Sequence, residues 1–420
     1  MIGTGIFTSL GFQVMELHTG FALLLLWLIG GITALIGAMV YAELGTLMPR
    51  SGGEYHFLSR IYHPALGFIS GWVSFIVGFS AAIAAAAVAL SAYFTAAIEV
   101  PENLLGLDLK IFISILVILT LSWLHSSYKK TGAGFQSLIT SFKIIVLLLF
   151  IILGWKSTAQ SSIDFALTRE SLTEIISPSF AISLFFVSFA YSGWNAAAYI
   201  TSEIKNPAKN IPLSLILGTL VVTLLYLGIT WVFLKVIPIE IMYGRIEVGF
   251  LYGQRILGMN AGNLIGILFS LLLFSTVSSL IIIGPRVTQV MGEDYPRIRW
   301  FAHISKRDTP ARAIYIQASI AIVYILSSTF EQMITFIGFT LNLMTLLTVL
   351  GMMLLRQDNP DITAPVYRLK PYPLLPILFL LINTWIMIYG IIYRPSESIA
   401  GLLTAALGLL VWSRLRSTKR

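Results

Sequence analysis

Long apolar segments follow one another along almost the whole chain. A helix needs about 20 apolar residues to cross the hydrocarbon core of a bilayer, and all but a few of these segments reach that length. Only 11% of the residues are charged and the mean hydropathy is +0.87, whereas about a quarter of the residues of a soluble domain are charged. We therefore expect an all-α integral membrane protein. The apolar segments lie at roughly 3–16, 21–47, 64–97, 109–126, 132–155, 178–202, 210–234, 261–290, 312–328, 332–355, 372–392 and 396–413.

The composition also excludes several function classes. The chain has no cysteine, which rules out disulfides, thiolate metal sites and a cysteine nucleophile. Its five histidines are scattered without metal-ligand spacing, and no P-loop or nucleophile–base pattern is present. We therefore expect neither an enzyme nor a cofactor. The net charge of +8 is explained by basic residues on cytoplasmic loops, so nucleic acid is not an expected partner.

The placement of basic residues predicts the orientation. If the N-terminus is cytoplasmic and twelve spans alternate, 20 of the 27 lysines and arginines fall on the cytoplasmic side. This bias predicts a multi-pass protein of the cell membrane with both termini in the cytoplasm. The long outer segment 237–260 is punctuated by Pro238, Gly244, Gly249 and Gly253. It is expected to form an interfacial lid, or alternatively a plain structured loop.

Two apolar segments are interrupted at their centres. Gly3-Thr4-Gly5 interrupts the first segment, and Ser192-Gly193 interrupts the sixth. A lipid-buried helix must satisfy its own backbone, so irregular backbone is tolerated only where it lines a cavity. Transporters with internal repeats place their site where two such broken helices meet. The breaks predict repeats at 1–155 and 178–355, followed by two further spans at 372–413.

Helix ends at these breaks predict a ligand. A half-helix that starts after Gly5 presents free N–H groups, which suit a carboxylate. A half-helix that ends near Ala190 and Tyr191 presents free carbonyls, which suit an ammonium group. An α-amino acid carries both groups on one carbon. The alternative is that the glycines serve close helix packing, which explains a single Gly-x-Gly equally well.

Five motifs stand out along the chain. They are Met1-Ile2-Gly3-Thr4-Gly5-Ile6-Phe7, Pro49-Arg50-Ser51-Gly52-Gly53-Glu54-Tyr55, Tyr191-Ser192-Gly193-Trp194-Asn195, Glu203-Ile204-Lys205-Asn206-Pro207 and Lys209-Asn210-Ile211-Pro212. They resemble motifs of the amino acid–polyamine–organocation (APC) superfamily of permeases, most closely the L-type amino acid transporter branch and its bacterial relatives. The resemblance covers the whole chain, and the motifs occur in the family's order.

The resemblance implies a twelve-span, five-plus-five inverted-repeat transporter fold with discontinuous spans 1 and 6, working by alternating access. It implies that Phe189 swings over the bound substrate as a gate. Asn195 would tie the broken span to its surroundings, and Gly193 and Trp194 would shape the side-chain pocket. The implied substrate-binding residues are Ile2, Gly3, Thr4, Gly5, Phe189, Ala190, Tyr191, Ser192, Gly193, Trp194 and Asn195.

A lysine inside an apolar span is a functional hypothesis by default. Lys143 lies within the fifth segment, and the resemblance implies that it couples transport to protons near spans 1 and 8. Ser278 and Ser279 of span 8 are predicted to stand near it. Alternatively, Lys143 extends to the membrane surface and the serines bond between helices. Arg286 is expected to anchor the inner end of span 8, by pairing with Glu43 or Glu54.

The predicted function is secondary active transport of an amino acid, coupled to protons. The centre of span 6, Phe189 to Asn195, has no charged side chain, which favours a neutral substrate. The alternatives are an amino acid exchanger on the same fold, and a truncated or transport-dead protein that acts as a sensor. The family's first helix has a cytoplasmic half before its Gly-x-Gly break, so we expect an upstream start or a truncated gene product. The sequence indicates no oligomeric state.

Overall fold

The computed structural model describes residues 1–100, 103–104, 107–127, 133–305, 309–358 and 367–416, and these residues are almost entirely helical. Six of the basic residues counted above lie outside the described residues, namely Lys129, Lys130, Lys306, Arg307, Lys419 and Arg420. The helices of the first half are α1 (Thr4–Thr8), α2 (Leu10–Gln13), α3 (Gly20–Leu47), α4 (Glu54–Ile61), α5 (Pro64–Val73), α6 (Ala82–Ala97), α7 (Leu109–Ser127), α8 (Ala133–Lys156) and α9 (Arg169–Ile175).

The second half continues the same pattern. Its helices are α10 (Pro178–Tyr191), α11 (Ala196–Tyr199), α12 (Pro207–Val236), α13 (Ile239–Met242), α14 (Val248–Leu257), α15 (Met259–Asp294), α16 (Ala311–Ser327), α17 (Phe330–Asp358), α18 (Leu374–Tyr393) and α19 (Pro395–Arg416). The remaining elements are the π-helical Ser74–Ala81, the 3-10 helices Thr201–Glu203 and Pro296–Phe301, and the antiparallel pair β1 (Asn103–Leu104) and β2 (Leu107–Asp108).

Helix starts follow from local residue chemistry. Pro64, Pro178 and Pro207 each occupy the first turn of a helix, where a missing N–H costs nothing. The Ser177 hydroxyl caps α10 by accepting the Phe180 N–H at 3.3 Å. The π-helical Ser74–Ala81 connects α5 to α6, so residues 64–97 form one long apolar span.

The fold is that of an integral membrane protein. Each of the twelve predicted apolar segments contains a helix or a short series of helices. In the described part of the chain, nine helices are long and apolar enough to cross a membrane, or ten if α9 and α10 count as one span bent by 66°. Two predicted spans fall short of that length, namely the series α1–α2 and the 17-residue α16.

Small residues set the helix packing around the centre. Helix α3 packs along α12, α6 packs along α15, and α1 packs against α10. A Cβ on Gly30 would lie 2.2 Å from Val187 on α10, and one on Gly31 would lie 2.4 Å from Thr223 on α12. These glycines therefore bring α3 against both helices, as small residues do in membrane bundles.

The segment 237–260, which was expected to lie on the outer side, contains two short helices, α13 and α14, and is partly buried. Helix α14 packs on α15, since Gly249 and Gly253 contact Phe269 and Ile265. The Tyr252 hydroxyl donates to the Phe150 carbonyl at 2.7 Å. Gly249 and Gly253 therefore allow close helix contact, whereas Gly244, with a φ of +66°, lies in the turn between α13 and α14.

A buried ion pair joins α3 to α17. The Glu43 carboxylate is 2% exposed and accepts hydrogen bonds from the Arg356 guanidinium and, at 2.8 Å, from the Leu369 N–H. The expected pairing of Arg286 with Glu43 or Glu54 is therefore wrong. Arg286 pairs instead with Glu203 at 3.3 Å. Partners so distant in sequence leave no local signal.

We predict that Arg356→Gln lowers the free energy of unfolding in mixed micelles by about 3 kcal/mol, because it leaves the Glu43 carboxylate buried without its cation. The double variant Glu43→Gln, Arg356→Gln should regain most of that loss, because no charge remains buried. Arg245→Gln is the control, since its pair with Glu247 is exposed on the arginine side and is worth about 1 kcal/mol or less. Equal losses for Arg356→Gln and Arg245→Gln would contradict the prediction.

Candidate functional site

The sixth apolar segment breaks at the predicted place. Helix α10 ends at Tyr191, and α11 begins at Ala196, after four intervening residues. Gly193 has a φ of +91°, a conformation that side chains with a Cβ rarely adopt. The Ser192 N–H turns back to the Phe189 carbonyl at 3.0 Å. The backbone at Ser192 and Gly193 therefore leaves the helical path in the middle of the bundle.

The first segment supplies the opposite helix end. Helix α1 begins at Thr4, with Gly3 as its N-cap residue. The Ser9 N–H donates to the Gly5 carbonyl at 2.9 Å, which continues the helix toward α2. The first N–H groups of a helix have no partner within it, so those of Gly3, Thr4 and Gly5 belong to the unpaired first turn.

The two helix ends touch. A Cβ on Gly5 would lie only 2.3 Å from the Cα of Ala190, so only glycine fits there. The Tyr226 hydroxyl on α12 bridges both segments, at 2.9 Å from the Met1 carbonyl and 3.2 Å from the Ala190 carbonyl. The Tyr191 hydroxyl fixes the end of α10 by donating to the Trp27 carbonyl at 3.2 Å. A positive and a negative helix end thus meet at the centre of the protein.

A cavity of about 310 Å³ opens at this meeting point. The structure places all of the predicted substrate-binding residues in its wall, namely Ile2, Gly3, Thr4, Gly5, Phe189, Ala190, Tyr191, Ser192, Gly193, Trp194 and Asn195. Phe189, the predicted gate, is almost fully buried in that wall. Thr276, Ser279, Asn342 and Asn383 also line the cavity, and none of them was predicted in the substrate pocket from the sequence. The size suits a small solute.

Lys143 points at the start of α1. Its ammonium group donates to the Thr276 hydroxyl at 3.0 Å and to the Ile2 carbonyl at 3.3 Å, and the residue is 6% exposed. The lysine therefore joins α8 to α1 and α15 at the edge of the cavity. The Lys143 side chain therefore does not extend to the membrane surface, which was the alternative expectation.

The two serines predicted beside Lys143 lie apart from each other. Ser279 lines the cavity, whereas Ser278 is hydrogen bonded to His125 of α7 at 2.8 Å. Successive side chains of a helix are rotated by about 100° about the helix axis, so Thr276 and Ser278 point to different sides of α15. Thr276 contacts Lys143 in place of Ser278.

Glu54 is the second charged side chain in the described cavity wall. It is 3% exposed, and its carboxylate accepts hydrogen bonds from Tyr41 at 2.9 Å, from Asn195 at 2.7 Å and from Tyr199. Sequence reasoning assigned Glu54 no binding role. The sequence signal for Glu54 is the motif Pro49–Tyr55, which contributes to the family resemblance but implies no function for this residue.

The described residues contain no group of three or more His, Asp or Glu side chains that could hold a metal ion. The polar groups of the cavity are instead helix-end amides, carbonyls, hydroxyls and carboxamides, together with the Lys143 ammonium group and the Glu54 carboxylate. Such groups can hold a polar solute by hydrogen bonds. The fold defines a multi-span membrane protein with a central cavity at two helix breaks.

Comparison with known sequences identifies the family. The sequence model of the amino acid permease family matches residues 1–412, so the chain belongs to that family. Its relatives are transporters, and the chain is accordingly a membrane transport protein for amino acids and not an enzyme.

Individual relatives agree with this assignment. The b(0,+)-type amino acid transporter 1 of Mus musculus is 27% identical over 401 residues, which cover 94% of this chain and 80% of the relative. The same transporter of Homo sapiens is 28% identical over 400 residues, with 94% and 80% covered. The Large neutral amino acids transporter small subunit 2 of Mus musculus is 26% identical over 421 residues, with 98% and 77% covered.

We predict that Gly5→Ala weakens amino acid binding by about tenfold or more, because the added methyl group forces the ends of α1 and α10 apart and such overpacking costs about 1–3 kcal/mol. Binding of the radiolabelled amino acid that the wild type binds best measures this. Gly45→Ala on α3 is the control, since its Cβ would lie at an ordinary 3.4 Å from Ile211. Wild-type affinity in Gly5→Ala would show that the contact of these helix ends does not shape the site.

Proposed function

We propose that this protein is a secondary active transporter that moves a neutral amino acid across the cell membrane by alternating access, coupled to protons. The observation that carries the proposal is the contact between the start of α1 and the end of α10 at the wall of one central cavity. The site needs both helix ends, because a free amino acid presents opposite charges on one carbon.

The substrate backbone binds to main-chain groups. The N–H groups of Gly3, Thr4 and Gly5 receive the carboxylate, where the positive end of the α1 dipole adds to the attraction. The carbonyls of Phe189, Ala190 and Ser192 receive the ammonium group. Each carbonyl oxygen has two lone pairs, so the bond from Tyr226 to Ala190 leaves room for a second donor.

The side-chain pocket suits a neutral substrate. The break from Phe189 to Asn195 has no charged residue, and Glu54 already accepts three hydrogen bonds. Gly193 and Trp194 shape the pocket, and Phe189 closes over the bound substrate. Relatives named for large neutral amino acids are consistent with this class of substrate.

Packing of equivalent helices supports the inverted repeat. If α1–α2, the bent pair α9–α10 and α16 each count as one crossing, the described residues hold twelve spans, and the paired helices α1 and α10, α3 and α12, and α6 and α15 are each five spans apart. This arrangement fits repeats at 1–155 and 178–355, with 372–413 added after them. We propose that both termini lie in the cytoplasm, where most of the basic residues then fall.

Lys143 supplies the coupling. Its ammonium group joins α1, α8 and α15, with Ser279 in the cavity wall one turn from Thr276. Loss of its proton removes the charge that favours its bond to the Ile2 carbonyl, and this frees α1 to move. In an exchanger the same ammonium stays charged and acts as a fixed link, so the two modes differ in their response to pH.

We predict that an inward proton gradient stimulates amino acid uptake into proteoliposomes and that Lys143→Met abolishes this stimulation. Coupling free energies of about 1–3 kcal/mol give changes of roughly 5- to 150-fold. Lys156→Met is the matched control, because this exposed lysine lies on the same helix and should leave the stimulation intact.

The same vesicles separate the alternative modes. Uptake that ignores the gradient and requires internal amino acid would establish an exchanger in place of the proton symporter. Protein that binds amino acids and never moves them would instead support a sensor.

We predict that neutral amino acids raise the thermal midpoint of the purified protein. A ligand at 100 times its dissociation constant stabilises the folded state by about 2.7 kcal/mol. A screen of the twenty amino acids measures the effect. Stabilisation by arginine, lysine or a polyamine alone would refute the neutral pocket.

A further inference from the structure

The loop between α3 and α4 (residues 48–53) and Glu54 hold the short helix α11. Glu54 binds the Tyr41 hydroxyl of α3 on one side, and the Asn195 amide and Tyr199 hydroxyl on the other. The carboxylate is 3% exposed, so its bonds to these three donors replace water. Glu54 therefore fixes both ends of α11, from Asn195 to Tyr199, to the rest of the bundle.

Backbone contacts extend the same attachment. The Gly52 N–H donates to the Tyr199 carbonyl at 3.3 Å, and the Gly53 N–H donates to the Ala198 carbonyl at 3.1 Å. Ser51 and Ser202 share a hydroxyl–hydroxyl bond of 2.5 Å. Gly53 has a φ of +55°, and a Cβ there would lie 2.7 Å from the Tyr199 ring, so glycine is required. The loop thus runs beside the C-terminal end of α11 and the 3-10 turn Thr201–Glu203 that follows it.

The loop is itself anchored to α15. Arg50 pairs with Asp294 at 2.8 Å, and the Tyr55 hydroxyl donates to the same carboxylate at 2.6 Å. The hydrogen bond to Asp294 raises the pKa of Arg50, and burial together with Asp294 raises the pKa of Tyr55. A loop held in this way can serve as a fixed support for α11.

We propose that Glu54 is a positioning residue for transport, which holds α11 in place to close the cavity at this end of the bundle, and that release of α11 from Glu54 opens the cavity. The break at Ser192 and Gly193 lets α11 move separately from α10. The attachment combines these directional hydrogen bonds with the packing of the Tyr199 ring against Phe79. A buried carboxylate is costly when any donor leaves, which favours two discrete positions of α11. The role in transport rests on the proposed function above.

A partly buried carboxylate at the other end of α3, with 13% of its side chain exposed, provides the control. Glu174 of α9 accepts bonds from the His18 N–H at 2.7 Å, the Thr19 N–H at 3.1 Å and the Thr19 hydroxyl at 2.5 Å, directly before α3. Tyr41, the α3 residue that binds Glu54, lies about 33 Å from Thr19 along the helix axis, at a rise of about 1.5 Å per residue. We name the two membrane faces the Glu54 end and the Glu174 end.

The chain has no cysteine, so a single introduced one reports cavity access without background. Ala82→Cys places a thiol in the cavity wall on α6. A membrane-impermeant, charged methanethiosulfonate reagent is applied to each face of sealed vesicles in turn. In Glu54→Gln, one of the three donors faces the amide N–H₂ group and loses its acceptor. Labelling from the Glu54 end should therefore rise about tenfold, because loss of one buried hydrogen bond changes an equilibrium by about that factor. Glu174→Gln should leave labelling from that end at the wild-type rate.

Tyr199→Phe keeps the packing of the ring and removes one bond to Glu54, so it should increase labelling from the Glu54 end even if Glu54→Gln does not fold. Both variants should change the maximal uptake rate more than the KM. Unchanged labelling from the Glu54 end in folded Tyr199→Phe and Glu54→Gln would overturn the role of Glu54, even if the wild type transports amino acids. Increased labelling in a wild-type background that never transports would refute the proposed function and leave the closure by Glu54 standing.

Discussion

The contact between Gly5 and Ala190 is the constraint on which the rest of the structure depends. Two helices can stop inside a membrane only if their end groups face a cavity or protein, because lipid offers no hydrogen bonds. Here the start of α1 lies against the end of α10, and a Cβ on Gly5 would lie 2.3 Å from the Ala190 Cα. The Tyr226 hydroxyl bridges both segments from α12.

Three charged side chains deep in the protein follow a common rule. Lys143, Glu54 and Glu43 are each nearly inaccessible, and each is held by groups from distant parts of the chain. A buried charge is tolerated only with several hydrogen bonds or an opposite charge. Arg356 is a full counter-ion for Glu43, so this ion pair suits a permanent contact between α3 and α17. Lys143 and Glu54 have neutral partners instead, and both line the cavity, so these two can exchange their contacts at lower cost.

The family resemblance supplied the predicted residues of the breaks, and it missed Thr276, Asn342 and Asn383 in the cavity wall. Hydropathy was sufficient to predict the long helices, and the two glycine breaks were sufficient to predict where the cavity lies. Both signals are local, because an apolar run or a Gly-x-Gly constrains its own backbone. The polar pairs could not be predicted in this way. Ser278 and Thr276 are both suitable hydroxyls by residue type, and only the rotation of α15 decides that Thr276 meets Lys143. Arg286 and Arg356 are both near helix ends, and only the tertiary packing pairs Glu43 with Arg356.

The cavity and the support of α11 share residues, which connects ligand binding to closure. Asn195 and Tyr199 line the cavity and also donate to Glu54, and Ser192 and Gly193 precede them in the same break. In the proposed mechanism, a substrate ammonium group at the carbonyls of this break would draw them toward the start of α1, and Asn195 would follow because only two residues separate it from Ser192. A ligand shifts an equilibrium between two positions of α11 only by its different affinity for them. The break would provide that difference, because its carbonyls could bind the ammonium group only while α10, α11 and α1 stand in one arrangement.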